Sequence, residues 1–226
     1  MAAQIPLPLA LTGSATFDTF VAGANGALVE TLRRGSEPFV YLAGGAGSGK
    51  SHLLQAACHA AHGAGGRCAY LPLGSGPGLA PEVLEGLEAL ELVCLDELEA
   101  VAGDPGWERA LFRFYNAMRE RGGRLYAAAR AVPDALDVRL PDLASRLAWG
   151  PVFRLHPLAD ADLARALVLR ARARGLELPP EVADYLLRRC PREPAALFAL
   201  LERLDEASLA AQRRLTIPFV RRLLPP

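Results

Sequence analysis

Residues Tyr41 to His52 read YLAGGAGSGKSH, and few chain paths accommodate such a stretch. It leaves one apolar run, Pro38 to Ala43, passes a glycine-rich turn and enters a second apolar run, Leu53 to Ala61. Strand, tight loop and helix in that order set Gly44, Gly49, Lys50 and Ser51 at the spacing of a phosphate loop. Glycines let the backbone curl until its N–H groups converge on a phosphate chain. The helix behind the loop adds the positive end of its dipole. Gly44, Gly45, Ala46, Gly47, Ser48 and Gly49 are therefore the expected cradle, with His52 in the first turn of the helix behind it. Lys50 supplies a mobile charge to the outer phosphates, and the Ser51 hydroxyl is a ligand for Mg²⁺.

Composition sharpens this reading. Lys50 is the only lysine in the chain, and the other 24 of its 25 basic side chains are arginine. A compact ammonium fits between phosphate oxygens and loop carbonyls where a planar guanidinium fork does not. Formal net charge is +0, which argues against a broad basic surface for nucleic acid. With 226 residues, 51% hydrophobic and 22% charged, the chain is expected to be a globular protein with a full core. The four cysteines include no C-x-x-C pair; Cys58 and Cys94 sit in apolar segments and read as buried thiols of a cytoplasmic protein. No apolar run is long enough to span a membrane, and the N-terminus lacks the basic residues of a signal peptide.

A second carrier of chemistry is Leu92-Val-Cys-Leu-Asp96-Glu97, an apolar strand ending in two carboxylates. After a phosphate loop, Asp96 is placed to order a Mg²⁺ shell and Glu97 to polarise an attacking water. Further strands fit Arg67 to Leu73, Leu125 to Ala129 and Val152 to Leu155. Helical spacing runs over Asn25 to Arg34, and over Trp107 to Arg121 with apolar residues at 107, 111, 114, 115 and 118. A short helix is expected from Pro81 to Leu90, and another from Leu140 to Leu147 that carries Arg146. After Pro157, four Ala-, Leu- and Arg-rich helices are expected at 158–174, 180–189, 193–211 and 216–224. The order predicts an α/β fold: a phosphate-loop αβα domain with a parallel sheet over residues 15–156, then a small all-α domain over 157–226. Residues 1–14 read as an extended segment, since Gln4-Ile-Pro-Leu-Pro-Leu9 alternates two prolines.

Taken together, the phosphate loop, the Asp-Glu strand, Arg146 in a Leu-Ala-Ser-Arg-Leu helix and the helical lid resemble the AAA+ ATPases. The stretches FDTFVAGAN, LELVCLDELEAVAGD, LPDLASRLAWG and LTIPFVRRLL are similar to the DnaA clade, and most of all to its shortened paralogues of the Hda type. The resemblance covers nearly the whole chain. It implies a protein that binds ADP or ATP with Mg²⁺, docks on the DNA-loaded sliding clamp and stimulates hydrolysis of DnaA-bound ATP, preventing re-initiation of replication. Gln4, Ile5, Leu7 and Leu9 are then the clamp-binding side chains. Arg146 is the arginine finger, Arg192 the lid arginine on the chain's own phosphates, and Phe20, Val21 and Asn25 lie near base and ribose. The absence of a helix-turn-helix segment after the lid implies no specific DNA binding. A homo-oligomer is compatible with the resemblance.

One strand departs from the pattern. Where relatives carry a polar sensor of the γ-phosphate, this chain has Ala128-Ala129-Arg130, so the sensor is missing or replaced by Arg130. Two alternatives follow. An autonomous AAA+ ATPase of helicase-loader type is favoured by the intact Asp96-Glu97 pair and opposed by the sensor strand and the clamp peptide; weak intrinsic turnover is compatible with either reading. A small-molecule kinase needs an acceptor-binding insertion within the core, and the helices lie after the core instead.

Overall fold

The computed structural model describes residues 15–74, 79–191 and 193–224. Five parallel strands form one sheet in the order β2-β3-β4-β1-β5. They are β1 (Phe39–Ala43), β2 (Cys68–Pro72), β3 (Leu92–Asp96), β4 (Arg124–Ala129) and β5 (Val152–Arg154). Side chains alternate across a strand, and here both alternating sets are apolar. Tyr41, Val93, Leu95, Leu125 and Ala127 enter the core on one face, while Val40, Leu42, Cys94, Tyr126 and Ala128 enter the core on the other. A sheet buried on both faces must be covered by helices on both.

Helices α1 (Gly26–Arg34) and α2 (Lys50–Gly63) cover the second face. Helices α3 (Pro105–Glu120) and α4 (Pro141–Leu147) cover the first. The aromatic stripe of α3 is core, as its spacing requires: Trp107, Leu111, Phe114, Tyr115 and Met118 are all buried. Asp104 caps α3 by accepting the N–H groups of Gly106 (2.7 Å) and Trp107 (2.9 Å), and Pro105 occupies the first turn.

A third apolar cluster is built wholly from residues of the C-terminal helices α5 (Asp160–Ala173), α6 (Pro180–Arg189), α7 (Pro194–Ala211) and α8 (Ile217–Leu223) and their connections. Leu167, Leu186, Leu197, Leu201 and Leu204 are fully buried at its centre. The helix expected over Pro81 to Leu90 is absent; the segment forms two short 3₁₀ turns, Pro81–Leu84 and Leu87–Ala89. The break falls at Glu85, which takes extended dihedrals (φ −65°, ψ 128°) that no α-helix accepts. All four cysteines are free thiols, with Cys58 and Cys94 buried. Among the described residues no helix is long and apolar enough to cross a membrane.

Candidate functional site

Six residues turn the chain from the end of β1 into α2. The Gly44 N–H donates to the Ala129 carbonyl (3.1 Å), which ties the loop to neighbouring β4. A Cβ on Gly44 would stand 2.7 Å from Ser48 Oγ, and one on Gly49 would stand 2.6 Å from Phe20 Cε2. Gly49 also has φ +99°, where a side chain is strained. No side chain caps α2, so its first-turn donors are left for an anion.

Lys50 is buried, and its Nζ donates to the carbonyls of Gly44 (2.6 Å) and Gly45 (2.9 Å). Burial pushes its pKa down, and the charges of Asp96, Glu99 and Glu97 pull it partly back. Asp96 is 1% exposed. Its Oδ2 accepts the Tyr70 hydroxyl (2.8 Å) and its Oδ1 accepts the Glu97 N–H (2.9 Å). Ser51 and Gln55 flank the same Tyr70 hydroxyl, so Tyr70 stands between the two residues expected to order Mg²⁺. Desolvation, followed by the charge of Asp96, raises the Tyr70 pKa and keeps it a donor. Glu97 holds a left-handed backbone (φ 59°), a local strain of about 1–3 kcal/mol that such end-of-strand positions carry.

Beside the loop lies a cavity of about 520 Å³, bounded on its far side by α5 and α7. This is a size suited to a small ligand. Gly45 through His52 line it, together with Phe20 and Val21. Its charged lining residues are Lys50 and Arg170, with no carboxylate among them. Phe20 lies 5.4 Å from the His52 ring, and His52 Nε2 lies 2.8 Å from the Thr16 carbonyl, to which it donates.

Asn25 is not among the residues that line this cavity and lies beside it, next to Leu155 and Pro157 of the lining. Its amide is consumed by the backbone of His156: Nδ2 donates to the carbonyl (3.0 Å) and Oδ1 accepts the N–H (2.7 Å). Asn25 therefore ties the N-terminal segment to the chain leaving β5, a structural role that its small bidentate amide suits. Arg130 turns to Glu99, with Nε 3.1 Å from Oε1. Arg192 and the Gln4, Ile5, Leu7 and Leu9 side chains lie outside the described residues.

Arg146 sits elsewhere, on α4 and outside the cavity lining. The entry to α4 is pinned by buried Glu108 of α3, whose carboxylate accepts the N–H groups of Gly103 (2.8 Å), Arg139 (2.9 Å) and Leu140 (2.8 Å). The Arg146 guanidinium carbon lies 5.2 Å from the Trp149 ring, and its Nε is buried without a hydrogen-bond partner.

Sequence reasoning missed four residues. Tyr70 reads as an ordinary strand aromatic, and only pairing of β2 with β3 places it beside Asp96. Glu108 reads as a solvated helix charge. Arg170 and Phe198, which line the cavity with the Arg170 guanidinium 4.6 Å from the Phe198 ring, read as a surface arginine and a core aromatic. For Arg170 the available signal was its place on the buried side of α5, one turn after Leu167.

Known proteins share this architecture. Residues 160–224 match the family described as Hda, lid domain. Domain III of the replication initiation protein DnaA from Thermotoga maritima superposes with a TM-score of 0.80 at 20% identity, over 96% of this chain and 98% of that one. AMPPCP-bound DnaA from Aquifex aeolicus gives 0.68 at 22% identity, over 86% of this chain and 66% of that one. A Thermotoga maritima RuvB variant gives 0.66 at 16% identity, over 92% and 70%. Residues 160–224 thus carry a match to the Hda lid domain, and the five-stranded parallel sheet with its covering helices and helical cap shares the fold of domain III of DnaA.

Proposed function

We propose that this chain is a nucleotide-bound regulator that acts in trans on the ATP site of DnaA while docked on a DNA-loaded sliding clamp. The observation that supports it most is the separation of its two cationic devices: Lys50 lines the cavity, and Arg146 does not. An arginine that its own site does not use is suited to reach a partner's nucleotide, where a finger supplied in trans is worth about 10³–10⁵ in rate.

On this reading residues 15–156 form the nucleotide-binding domain and 157–226 its lid. ADP or ATP lies in the cavity, with its phosphates against the loop and Lys50, and with Phe20 and Val21 toward the base. Ser51 and Asp96 offer a hydroxyl and a carboxylate, an oxygen-only set that suits a hard cation such as Mg²⁺; the metal, when bound, supplies charge neutralisation at the phosphates. Arg192 contributes from the lid. Gln4, Ile5, Leu7 and Leu9 supply the clamp contact, in which an extended peptide fills a partner groove. The likeness to DnaA makes DnaA the partner of choice, and initiation of replication the process that is switched off.

The test is hydrolysis of DnaA-bound ATP, measured with and without this protein and a clamp loaded on DNA. Acceleration that needs the clamp, and that is lost on removal of residues 1–14, is the expected result. Turnover of ATP by this protein alone, with no effect on DnaA, replaces this reading by an autonomous AAA+ ATPase. The Asp96-Glu97 pair is the observation that favours the second reading.

A further inference from the structure

We propose that Arg119, Trp149 and Arg146 form one composite seat for the phosphates of the partner's nucleotide, with Arg119 as a second cation beside the finger and Trp149 as the platform that aims both. The inference rests on the trans reading of Arg146 and adds two residues to it.

The geometry is specific. The Arg119 guanidinium carbon lies 3.9 Å from the Trp149 ring centroid, and that of Arg146 lies 5.2 Å from the same ring. Trp149 is 50% exposed, the most open aromatic among the described residues, and Arg119 is exposed beside it. Among the described residues neither arginine reaches a carboxylate at ion-pair distance, whereas Arg33, Arg34, Arg121, Arg130, Arg165, Arg170 and Arg174 each do. Two guanidinium groups on one indole repel each other, and the ring's negative face offsets only part of that. A phosphate completes such a pair through charge-assisted hydrogen bonds.

Two buried polar atoms beneath this face also lack partners, Arg146 Nε and the Tyr115 hydroxyl. Both residues line the same small cavity behind the finger. Desolvation, moderated by the charges of Arg146 and Arg119, pushes the Tyr115 pKa up to about 12, so the hydroxyl keeps its proton. The platform is backed by other rings: Trp149 lies 6.3 Å from Tyr115, which stacks 4.2 Å from Phe39 at the start of β1. An exposed indole with two unpaired cations, anchored on the strand that feeds the chain's own phosphate loop, is built for an anion arriving from another molecule. Nucleotide phosphates fit best, because both guanidinium groups lie within 5.2 Å of one ring, a compact double charge that suits a phosphate chain better than an extended peptide.

The experiment uses the full chain, ATP-loaded DnaA and a DNA-loaded clamp, with Arg119→Gln, Arg119→Lys and Trp149→Ala. Three quantities are read: the rate of DnaA-bound ATP hydrolysis at saturating regulator, the half-saturating concentration, and the regulator's own ADP affinity. Arg119→Gln is expected to lower the saturating rate about tenfold, equivalent to ~1.4 kcal/mol of transition-state stabilisation. The half-saturating concentration and ADP affinity stay within about twofold, and Arg119→Lys recovers most of the rate because it keeps the charge on the ring. Trp149→Ala loses as much as Arg119→Gln or more, with unchanged ADP affinity showing that the fold is intact. A wild-type saturating rate for Arg119→Gln overturns the composite seat and leaves the finger reading standing. A change confined to half-saturation also overturns it, since Arg119 then grips an acidic surface of the partner. Absence of acceleration by the unmodified protein removes the finger reading and this inference together.

Discussion

The loop cavity and the α3–α4 face are both arginine- or lysine-bearing surfaces of one chain, and they treat charge in opposite ways. Around the cavity the cations are held by the chain itself. Lys50 donates to two loop carbonyls, Arg130 to Glu99, and Arg170 lies 3.5 Å from Glu202. On the α3–α4 face Arg119 and Arg146 have only an indole between them. Within the same chain, then, one site has internal partners for its charges, and the other leaves two cations to be completed from outside. The proposed regulator, which would bind one nucleotide and act on another, needs both kinds.

The difference predicts that the two surfaces separate under mutation. Arg146→Ala should remove the trans acceleration, a loss on the order of 10³-fold or more, with unchanged affinity for ADP. An equal loss of both activities would break the comparison. Lys50→Ala should do the reverse at its own site, weakening ADP binding by about 100-fold, since charged hydrogen bonds contribute about 1.5–3 kcal/mol each. Calorimetry checks it, and retained affinity would remove Lys50 from the phosphates.

A smaller effect sharpens the account of the cavity side. Tyr70→Phe should leave buried Asp96 Oδ2 without its donor, costing about 1–3 kcal/mol and lowering the melting temperature by roughly 2–10 °C. An unchanged melting temperature would mean that Asp96 does not depend on Tyr70. The smallest effect concerns pH. Burial lowers the His52 pKa; the Thr16 carbonyl opposes this, and the charges of Arg170 and His59 reinforce it. Below its ordinary value near 6.5 the unfolded chain therefore binds a proton that the folded chain resists. This contribution to stability is full above about pH 6.5 and is lost as the pH falls from there through the lower folded value. Thermal melts at pH 7.5 and pH 5 should show a larger acid loss for the native protein than for His52→Gln. Equal losses would show that other groups carry the acid sensitivity.

Much of the site was legible in the order of residues. Gly44 to Ser51 form a local device, because six loop residues and one helical turn are close in space wherever they are close in sequence. The same holds for β3 ending in Asp96-Glu97 and for the buried stripe of α3, where periodicity alone separates Trp107 and Tyr115 from solvent. The Pro81 to Leu90 segment misled because its apolar residues suit either a helix or two tight turns, and packing of the turns on α3 chose the latter. The backbone role of Asn25 was hidden for a different reason. An amide near a nucleotide site and an amide that bridges backbone 131 residues away have the same sequence appearance.

The sequence by itself determined the phosphate loop, the strand–helix alternation, the helical cap and the position of Arg146 on its helix, since each rests on contacts between near neighbours or on a short period. Only the tertiary structure decided that Tyr70 holds Asp96, that Glu108 of α3 pins the entry to α4, and that Arg119 and Arg146 meet on Trp149. These are encounters between distant segments, brought together by burying both faces of one parallel sheet. Hydrophobic burial is non-directional, so an apolar pattern tells which faces must be covered and leaves the partners of each polar side chain to the packing of the whole.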